Sequence, residues 1–374
     1  MKIGLVLDDT LDKPDGVQAA VLTLGKWLSQ QGHDVHYLVA DTVRKDIPNV
    51  HSLGRFVNVT FNNNNVRTPL PASRRAIKKL LNTEQFDVLH IMLPYSPFLA
   101  KHVINYASPH TAVIGTFHIL PASKLHGYSN TGLRILLGRS LKRFDKIAAV
   151  SEPAIHFARK AYGINAIYIP NPIVTSDFRS GKRLSAYGRN KLNIVFLGRL
   201  VQRKGILQLI KAYNALDDDA AKRTRLIIGG KGPLRQKAKK MVHHNRNVIF
   251  TGYVSEKEKA DFLKSADIAV FPSISGESFG IVLVEAMAAG AGVVLGGSNP
   301  GYKSVLGPQP YLLFDPKDTI GFATHMKLFI DDEKLRNQMH EWQQEAVGQY
   351  DISVVGTAFE TMYAECLQER KDVR

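Results

Sequence analysis

The sequence has a single cysteine and no apolar run long enough to cross a bilayer. With Cys366 alone among 374 residues, an intramolecular disulfide is excluded, and a reducing compartment is favoured. The chain enters the apolar segment Ile3–Leu7 almost at once, without the pattern of a secretory signal. Its apolar runs all fall short of the roughly 20 residues that a membrane-spanning helix needs. We therefore expect a cytoplasmic protein.

Metal-ligand patterns are also missing from the sequence. No His and Cys residues recur at the spacing of metal ligands. The acidic run Asp217–Asp219 lies between a predicted helix and basic residues, which is typical of a solvated helix end. We predict no fixed metal ligand and no prosthetic group.

Acidic residues are scarce between residues 47 and 144. This segment has twelve Lys and Arg but only Glu84 and Asp87 as acids, in a chain with a net charge of +16. A field concentrated in this way attracts polyanions. An anionic membrane surface, a nucleic acid and a phosphorylated substrate all remain open on charge alone.

Two parts of this basic segment are amphipathic. One lies between residues 71 and 81 and carries cations four residues apart beside apolar positions; its cations are Arg74, Arg75, Lys78 and Lys79. The other lies between residues 133 and 144. Basic amphipathic helices fit an anionic bilayer surface. Apolar stripes that face the protein core are the alternative, and the cationic faces would then still be outside.

Apolar strands alternate with helical segments along the whole chain, and 374 residues favour two domains. Because the strands are apolar on successive positions, they are typical of parallel sheets covered on both faces. The predicted strands are 3–7, 35–39, 56–59, 88–91, 112–117, 147–150 and 166–169, then 193–197, 226–229, 247–250, 268–271, 291–295 and 311–314.

These patterns predict an α/β protein with two doubly wound, Rossmann-like domains facing a central cleft. We expect the first domain to cover residues 1–170, with the helical segment 352–374 packing back on it, and the second to cover 171–351. The polar, basic stretch 171–191 is predicted as the linker. Ligands are expected at the carboxyl ends of the strands.

The most informative segment is a Gly-rich loop that follows the strand 268–271 and leads into a helix. Backbone N–H groups near Phe279, Gly280 and Ile281 would point at a phosphate, and the helix dipole favours an anion there. Glu277 and Glu285 could both reach one polyhydroxyl ligand. An ordinary strand-to-helix turn with a solvated acid is the alternative, and this segment alone leaves both open.

Further candidates lie at other strand ends. Arg199 and Lys204 follow the first strand of the second domain and could neutralise a diphosphate leaving group. His118 closes the strand 112–117, and Gly16 ends the first loop of the first domain, where a sugar or phosphate could approach. A solvated basic loop, a structural histidine and a plain loop glycine are the alternatives.

With these motifs, the chain resembles glycosyltransferase family 4, whose members are retaining enzymes of the GT-B fold. Within the family it is most similar to the phosphatidyl-myo-inositol mannosyltransferases. The most specific match is Gly276-Glu277-Ser278-Phe279-Gly280-Ile281-Val282-Leu283-Val284-Glu285-Ala286-Met287-Ala288-Ala289-Gly290, the family's two-glutamate signature. Supporting matches are Gly16-Val17-Gln18, Thr116-Phe117-His118, Ala149-Val150-Ser151, and Gly198-Arg199 with Lys204-Gly205.

The resemblance implies a donor site for a nucleotide sugar. In it, Arg199 and Lys204 would hold the diphosphate, Glu277 the transferred sugar and Glu285 the ribose. His118 would lie at the reacting centre. The remaining donor contacts implied are Gly16, Val254, Glu256, Lys259, Ser278, Phe279, Gly280 and Ile281.

The resemblance also implies a lipid acceptor at a membrane. Asn62, Arg67 and Lys124, with His118, fall at the places of the acceptor pocket, the first two in a loop before the basic helix. Arg74, Arg75, Lys78 and Lys79 correspond to the helix implicated in membrane attachment. The chain departs from the family at Pro170-Asn171-Pro172, where Pro-Asn-Gly is usual.

The expected activity is therefore the retaining transfer of a hexose to a membrane lipid head group such as phosphatidylinositol, at the inner face of the plasma membrane. A carboxylate at Glu256 could accept both N1–H and N2–H of guanine, which favours GDP-mannose over UDP-glucose. A UDP-glucose-dependent enzyme, a soluble or polysaccharide acceptor, and a non-catalytic nucleotide-sugar-binding protein remain alternatives. Nucleic-acid binding would not explain the paired glutamates, so we expect none.

Overall fold

The computed structural model describes residues 1–12, 15–61, 64–70, 72–94, 96, 98–118, 138, 140–242 and 247–372, with 55–61 and 64–70 described by their backbone. The chain divides into two compact units. The first comprises Met1–Pro172 and Ile352–Arg374, and the second comprises Ile173–Asp351. Each unit is built around one parallel sheet with its apolar strands buried.

The first unit contains a seven-stranded sheet in the order β3-β2-β1-β6-β7-β8-β9. All of its neighbouring strands pair in parallel, as expected for apolar strands that are covered on both faces. The strands are β1 Lys2–Leu7, β2 Asp34–Val39, β3 Val50–Ser52, β6 Val88–Ile91, β7 Ala112–Phe117, β8 Lys146–Ala149 and β9 Ile167–Tyr168.

An antiparallel hairpin outside this sheet corrects part of the sequence prediction. Strand β4 (Arg55–Phe61) pairs with β5 (Asn64–Leu70), and Asn58 lies opposite Arg67. The predicted strand 56–59 therefore does not belong to the parallel sheet, and Arg67 lies in a strand instead of a loop. Two residues join β4 to β5, and so short a connection permits only antiparallel pairing, because a parallel partner needs a long crossover.

The helices of the first unit described by the structure are α1 Gly16–Gln30, α2 Arg74–Glu84, α3 Leu99–Tyr106, α4 Glu152–Tyr162 and the C-terminal helix Ile352–Asp372. The C-terminal helix packs on this unit through polar as well as apolar contacts. Its Arg370 binds the carboxylate of Asp145, with Nη2 to Oδ1 at 2.7 Å, and its Glu360 lies 2.8 Å from Nε2 of His33.

Helix α2 shows how an amphipathic sequence is used here. The Ser73 side chain caps its N-terminus by accepting a hydrogen bond from the N–H of Ala76. Ile77 and Leu81 are buried in the core of the first unit, packed with residues of β1 and α3. Its four cations, Arg74, Arg75, Lys78 and Lys79, are exposed. The apolar stripe therefore faces the core, and the cationic face remains outside.

The second unit contains a six-stranded parallel sheet in the order β12-β11-β10-β13-β14-β15. Its strands are β10 Leu192–Leu197, β11 Thr224–Gly229, β12 Val248–Gly252, β13 Ile268–Phe271, β14 Val293–Gly297 and β15 Leu313–Phe314. Its helices are α5 Thr175–Arg179, α6 Ile206–Asn214, α7 Asp218–Arg223, α8 Arg235–Met241, α9 Glu256–Lys264, α10 Ile281–Ala288, α11 Pro300–Leu306, α12 Thr319–Asp331 and α13 Glu333–Ala346.

The stretch predicted as a linker is packed into the second unit from Ile173 onward, so that prediction was wrong. Arg183 binds Asp267 through two parallel hydrogen bonds of 2.7 Å, and the N–H of Leu184 donates to Ser265 Oγ at 2.8 Å. The polar residues of the stretch resembled those of a solvated linker, but they are used in ion pairs and backbone contacts.

A search of the described helices finds none that is both long and apolar enough to span a membrane.

Candidate functional site

The loops after β10 and β13 meet at the carboxyl edge of the second sheet. These two strands are neighbours, with Ile194 opposite Ile268. The loop after β10 contains a short 3₁₀ helix, Gln202–Lys204, and the carbonyl of Arg203 accepts a 2.9 Å hydrogen bond from the N–H of Ile274 in the loop after β13. The two segments that the sequence marks as candidates are thus joined through the backbone.

The carboxylate of Glu277 lies at the centre of this meeting point. Its Oε1 atom is 2.7 Å from Nζ of Lys204, 3.0 Å from Nη1 of Arg203 and 3.0 Å from Oγ of Ser273. The structure therefore brings together Lys204 and Glu277, two residues predicted from the sequence to share a site. Arg199, predicted with them, is exposed two residues beyond the end of β10.

Two glycines permit close packing around this site. Gly205, which follows Lys204, has φ +73°, and a Cβ placed on it would lie 1.9 Å from the carbonyl oxygen of Pro272. Gly280 has φ +117°, and its Cβ would lie 2.7 Å from the ring of Tyr302. A side chain at Gly205 would push the two loops apart, one at Gly280 would clash with Tyr302, and either would strain the backbone.

Gly280 is also the N-cap of helix α10. The first N–H groups of a helix have no partner within it and are available to an anion. In this loop Phe279 is buried and packs edge-on against Tyr350, with the ring centroids 5.5 Å apart, whereas Ser278 and Ile281 are half-buried.

A second carboxylate cluster lies between helices α9 and α10. The Nζ atom of Lys259 is 3.0 Å from Oε1 of Glu285 and 2.7 Å from Oε2 of Glu256. Glu285 is buried, whereas Glu256 is exposed. The structure therefore brings together the residues predicted for the base and for the ribose. Val254, predicted with them, is half-buried in the turn before α9.

Burial controls the ionisation of this cluster. It raises the pKa of Glu285, an effect that the neighbouring ammonium of Lys259 opposes. Burial alone would lower the pKa of Lys259, but the carboxylates of Glu285 and Glu256 raise it above its usual value. Lys259 is therefore protonated at neutral pH and supplies the cluster's positive charge.

His118 lies in the first unit, directly after β7, and is only 5% exposed. Burial lowers its pKa to about 4, although a hydrogen bond with the Asn171 side chain acts in the opposite direction. His90 lies nearby, and burial together with His118 lowers its pKa to about 3. The Nδ1 and Nε2 atoms of His90 lie 2.7 Å from the hydroxyls of Tyr363 and Thr116, respectively. His118 is therefore a neutral imidazole at pH 7.

The other predicted residues of the first unit are placed as follows. Gly16 is the first residue of α1 instead of the last residue of the loop before it. Asn62 and Lys124 lie outside the described residues, and Arg67 is described by its backbone in β5. On the cationic face of α2, Nζ of Lys78 lies 4.6 Å from the ring centroid of Tyr106 in α3.

No group of three His, Cys, Asp or Glu side chains that could hold a metal ion occurs in the part of the chain that the structure describes. The charges available to an anionic ligand at the edge of the second sheet are those of Lys and Arg.

Three residues of the site were not assigned from the sequence. Arg203 lies between Arg199 and Lys204 in the predicted cationic loop but was given no role, and Ser273 and Tyr302 were missed. Ser273 stands two residues after β13, at the carboxyl edge of the sheet, and this position is a signal that could have identified it. Tyr302 is distant in sequence, and only the folded chain brings its hydroxyl to 3.1 Å from Ser273 Oγ.

The two Rossmann-like units define the GT-B class of proteins. Crystal structures with this fold match nearly the whole chain. That of Anabaena HepE in complex with UDP has a TM-score of 0.78 at 17% identity and covers 98% of this chain and 100% of its own. The structure of HepE with UDP and glucose has a TM-score of 0.74 at 16% identity, and the match covers 97% of this chain and 99% of the HepE chain.

The family follows from the sequence matches. Residues 14–177 match the family model described as Glycosyltransferase Family 4, and residues 184–345 match that described as Glycosyl transferases group 1. A phosphatidyl-myo-inositol mannosyltransferase of Mycolicibacterium smegmatis is 32% identical over 97% of this chain and 93% of its own length. A phosphatidyl-myo-inositol mannosyltransferase of Mycobacterium tuberculosis is 33% identical over 97% of this chain and 96% of its own length. The chain belongs to glycosyltransferase family 4 and is a glycosyltransferase.

Proposed function

We propose that the protein transfers mannose from GDP-mannose to the head group of a membrane lipid, such as phosphatidylinositol, with retention at the anomeric carbon. The observation that carries the proposal is the pair of lysine–glutamate contacts at one edge of the second sheet, Lys204 with Glu277 and Lys259 with Glu285. Within one protein unit, these contacts place carboxylates for hydroxyl groups and, at Lys204, a cation for a diphosphate.

The donor site follows from these contacts. Arg199 and Lys204 bind the diphosphate, and the N–H groups at the start of α10 add partial positive charge. Glu277 accepts hydrogen bonds from the sugar hydroxyls, and the buried Glu285 does so from the ribose. Gly16 is assigned to the approach of the donor, and His118 to the reacting centre and to the acceptor.

The reaction requires stabilisation of the leaving group more than a protein nucleophile. As the bond between the anomeric carbon and the diphosphate breaks, negative charge grows on the departing oxygen. Lys204 and Arg199 stabilise that charge, and the incoming hydroxyl passes its proton to the same oxygen on the same face of the sugar. Because burial keeps His118 neutral, it can contact a hydroxyl without adding a charge.

Glu256 carries the preference for guanine. Its exposed carboxylate at the start of α9 can accept both N1–H and N2–H of guanine, a pair of donors that uracil does not have. Glu256→Ala should weaken GDP binding about fivefold or more, since a hydrogen bond to a charged group is worth on the order of 1 kcal/mol or more. UDP binding should not change. Unchanged GDP affinity, measured by titration calorimetry, would contradict the proposed preference for guanine.

The lipid acceptor is supported by the similarity to phosphatidyl-myo-inositol mannosyltransferases and by the exposed cations of α2. Arg74, Arg75, Lys78 and Lys79 would hold the enzyme on an anionic bilayer at the inner face of the plasma membrane. Asn62, Arg67 and Lys124 are assigned to the acceptor head group together with His118. The membrane contact is thereby assigned to the first unit of the chain, and the binding of the donor diphosphate and ribose to the second.

The deciding experiment is product analysis. The protein is incubated with GDP-mannose or UDP-glucose and vesicles containing phosphatidylinositol, phosphatidylglycerol or phosphatidylcholine, and the lipids are examined by mass spectrometry. We expect a mass increase of one hexose on phosphatidylinositol with GDP-mannose, and none with Glu277→Gln. Transfer only from UDP-glucose, or only to a soluble sugar, would overturn the donor or the acceptor. Absence of transfer from either donor would favour a binding protein.

A further inference from the structure

We propose that Ser273 and Arg203 are positioning residues that hold the Glu277 carboxylate in place when Lys204 turns to the donor diphosphate. The inference rests on the proposed function, because it takes Glu277 as the residue that contacts the transferred sugar. It assigns separate roles to three donors that contact the same carboxylate oxygen.

The starting observation is the crowding of Glu277 Oε1. Lys204, Arg203 and Ser273 all place a donor within 3.0 Å of this one atom. Three donors on one oxygen fix the rotation of the carboxylate and direct Oε2 away from them. A carboxylate has about four sites for accepted hydrogen bonds, so those of Oε2 can serve sugar hydroxyls.

Lys204 cannot serve both partners equally once a donor is bound. Its ammonium lies 2.7 Å from Glu277 Oε1, and the proposed chemistry requires the same charge at the diphosphate. A diphosphate carries more negative charge than one carboxylate and attracts the ammonium more strongly. As Lys204 shifts toward the diphosphate, the carboxylate depends more on the two donors that remain.

Ser273 is one of these two donors to Glu277. Its side chain is 1% exposed, and its own carbonyl accepts a 3.0 Å hydrogen bond from the Asn299 side chain. A carboxylate can only accept, so the Ser273 hydroxyl proton goes to Glu277, and the Ser273 oxygen accepts from Tyr302 at 3.1 Å. Tyr302 keeps its proton, because burial and the Glu277 charge raise its pKa well above the usual value.

This chain of hydrogen bonds runs from Tyr302 through Ser273 to Glu277 and is anchored in the second sheet. Tyr302 is fully buried in helix α11, whose N-cap Asn299 accepts a hydrogen bond from the Tyr302 N–H at 3.0 Å. Ser273 stands at the end of β13. Both hydroxyls are therefore fixed by packing before any ligand arrives.

Arg203 is the second donor and is tied to the same loop by its backbone and by its side chain. Its carbonyl accepts from the Ile274 N–H at 2.9 Å, and Nη1 contacts the Gly276 carbonyl at 3.4 Å as well as Glu277. Its side chain is 36% exposed, so substitution there should be tolerated by the fold. It supplies the charge that balances Glu277 when Lys204 moves.

The test compares binding of the nucleotide alone with binding of the nucleotide sugar. Binding of GDP and of GDP-mannose is measured by titration calorimetry, with UDP and UDP-glucose in parallel, for Ser273→Ala, Arg203→Gln and Tyr302→Phe. We expect GDP affinity to remain within about twofold for all three. Affinity for the sugar nucleotide and kcat should fall roughly 10- to 100-fold for Ser273→Ala, because a hydrogen bond to a charged group is lost. Tyr302→Phe should have a smaller effect, because the Ser273 donor remains.

Arg203 provides a variant that does not disturb the buried chain. Arg203→Gln should lower kcat with little change in the KM for the nucleotide-sugar donor. Arg203→Lys should restore part of the lost kcat. Equal losses of GDP and GDP-mannose binding in Ser273→Ala and Arg203→Gln would mean a purely structural role and overturn the inference.

Glu277→Gln is the reference that separates this inference from the proposed function. If Glu277→Gln loses sugar-nucleotide binding and turnover while Ser273→Ala and Arg203→Gln lose neither, the positioning role is wrong and the proposed function stands. If Glu277→Gln itself binds and transfers like the unmodified protein, Glu277 does not contact the sugar, and both are overturned.

Discussion

Lys259 and Glu285 form an ion pair in which Nζ and Oε1 are 3.0 Å apart, with both side chains largely withdrawn from water. A buried carboxylate is costly unless a charge or several hydrogen bonds compensate it. Lys259 is the compensating charge, and Glu285 is the residue assigned to the ribose. In the proposed function, the same contact both offsets the cost of burying Glu285 and positions this carboxylate to accept a hydrogen bond from the ribose.

Removal of Lys259 should destabilise the second unit. Lys259→Met leaves the Glu285 carboxylate buried without its counter-charge, and we expect a loss of about 3 kcal/mol in the free energy of unfolding. The pKa of Glu285 should rise further, so stability at pH 8 should fall more than at pH 5. Urea unfolding monitored by Trp342, in a Trp27→Phe background, reports on this unit alone.

Lys257 is the matched control for that measurement. It lies on the same helix and is exposed, so Lys257→Met should change the free energy of unfolding by less than about 0.5 kcal/mol. Equal effects of the two substitutions would show that the Lys259–Glu285 contact contributes nothing beyond surface charge.

Acid should destabilise the first unit through its buried histidines. His118 and His90 have pKa values of about 4 and about 3 in the folded protein, against roughly 6.5 when unfolded. Between these limits the unfolded state binds more protons, so stability is full above about pH 6.5 and falls as the pH is lowered. The slope is roughly 1.4 kcal/mol per pH unit for each histidine. Urea unfolding monitored by Trp27 in a Trp342→Phe background measures it.

A substitution at His118 checks the source of that slope. His118→Gln should reduce the difference in bound protons between the unfolded and folded states by about one between pH 6.5 and pH 4. The same slope in His118→Gln and in the unmodified protein would contradict a neutral buried imidazole at this position.

Because Gly205, the residue after Lys204, is tightly packed, its replacement should lower the free energy of unfolding of the second unit. A Cβ at Gly205 would lie 1.9 Å from the Pro272 carbonyl oxygen, whereas at Gly252, with φ +85°, it would meet no atom within 4 Å. Gly252→Ala should cost about 1 kcal/mol for its left-handed backbone. Gly205→Ala should cost about 3 kcal/mol, since overpacking adds a further 1–3 kcal/mol. Chemical unfolding of the second unit measures both, and similar costs would contradict the close approach of the two loops.

The cationic face of α2 should bind anionic vesicles. Arg75 and Lys79 are exposed one turn apart, and Arg75→Gln with Lys79→Gln should weaken binding to phosphatidylinositol-containing vesicles about 30-fold, since each cation contributes on the order of 1 kcal/mol. Lys237→Gln with Lys240→Gln, which removes two exposed lysines of α8, is the matched control. Vesicle co-sedimentation at fixed ionic strength is the measurement. Equal losses in the two variants would indicate that only net charge matters.

Sequence periodicity was reliable where a strand is buried on both faces. Strands β6, β7 and β13 begin and end at the predicted residues, because an unbroken apolar run between polar turns has few alternatives. It was unreliable for the hairpin β4–β5 and for the packed stretch after Ile173. There the structure depends on pairing partners and ion pairs that local composition does not reveal.

The sequence by itself determined the alternation of strands and helices and the glycine-punctuated loops that mark Glu277, Glu285 and Lys204. These features are local, since they depend on residue spacing and backbone freedom within one segment. Only the tertiary structure decided which donors hold Glu277. Arg203, Ser273 and Tyr302 come from three separate segments. Arg203 and Ser273 contact the carboxylate because neighbouring parallel strands end at the same edge of the sheet, and Tyr302 is linked to it through Ser273.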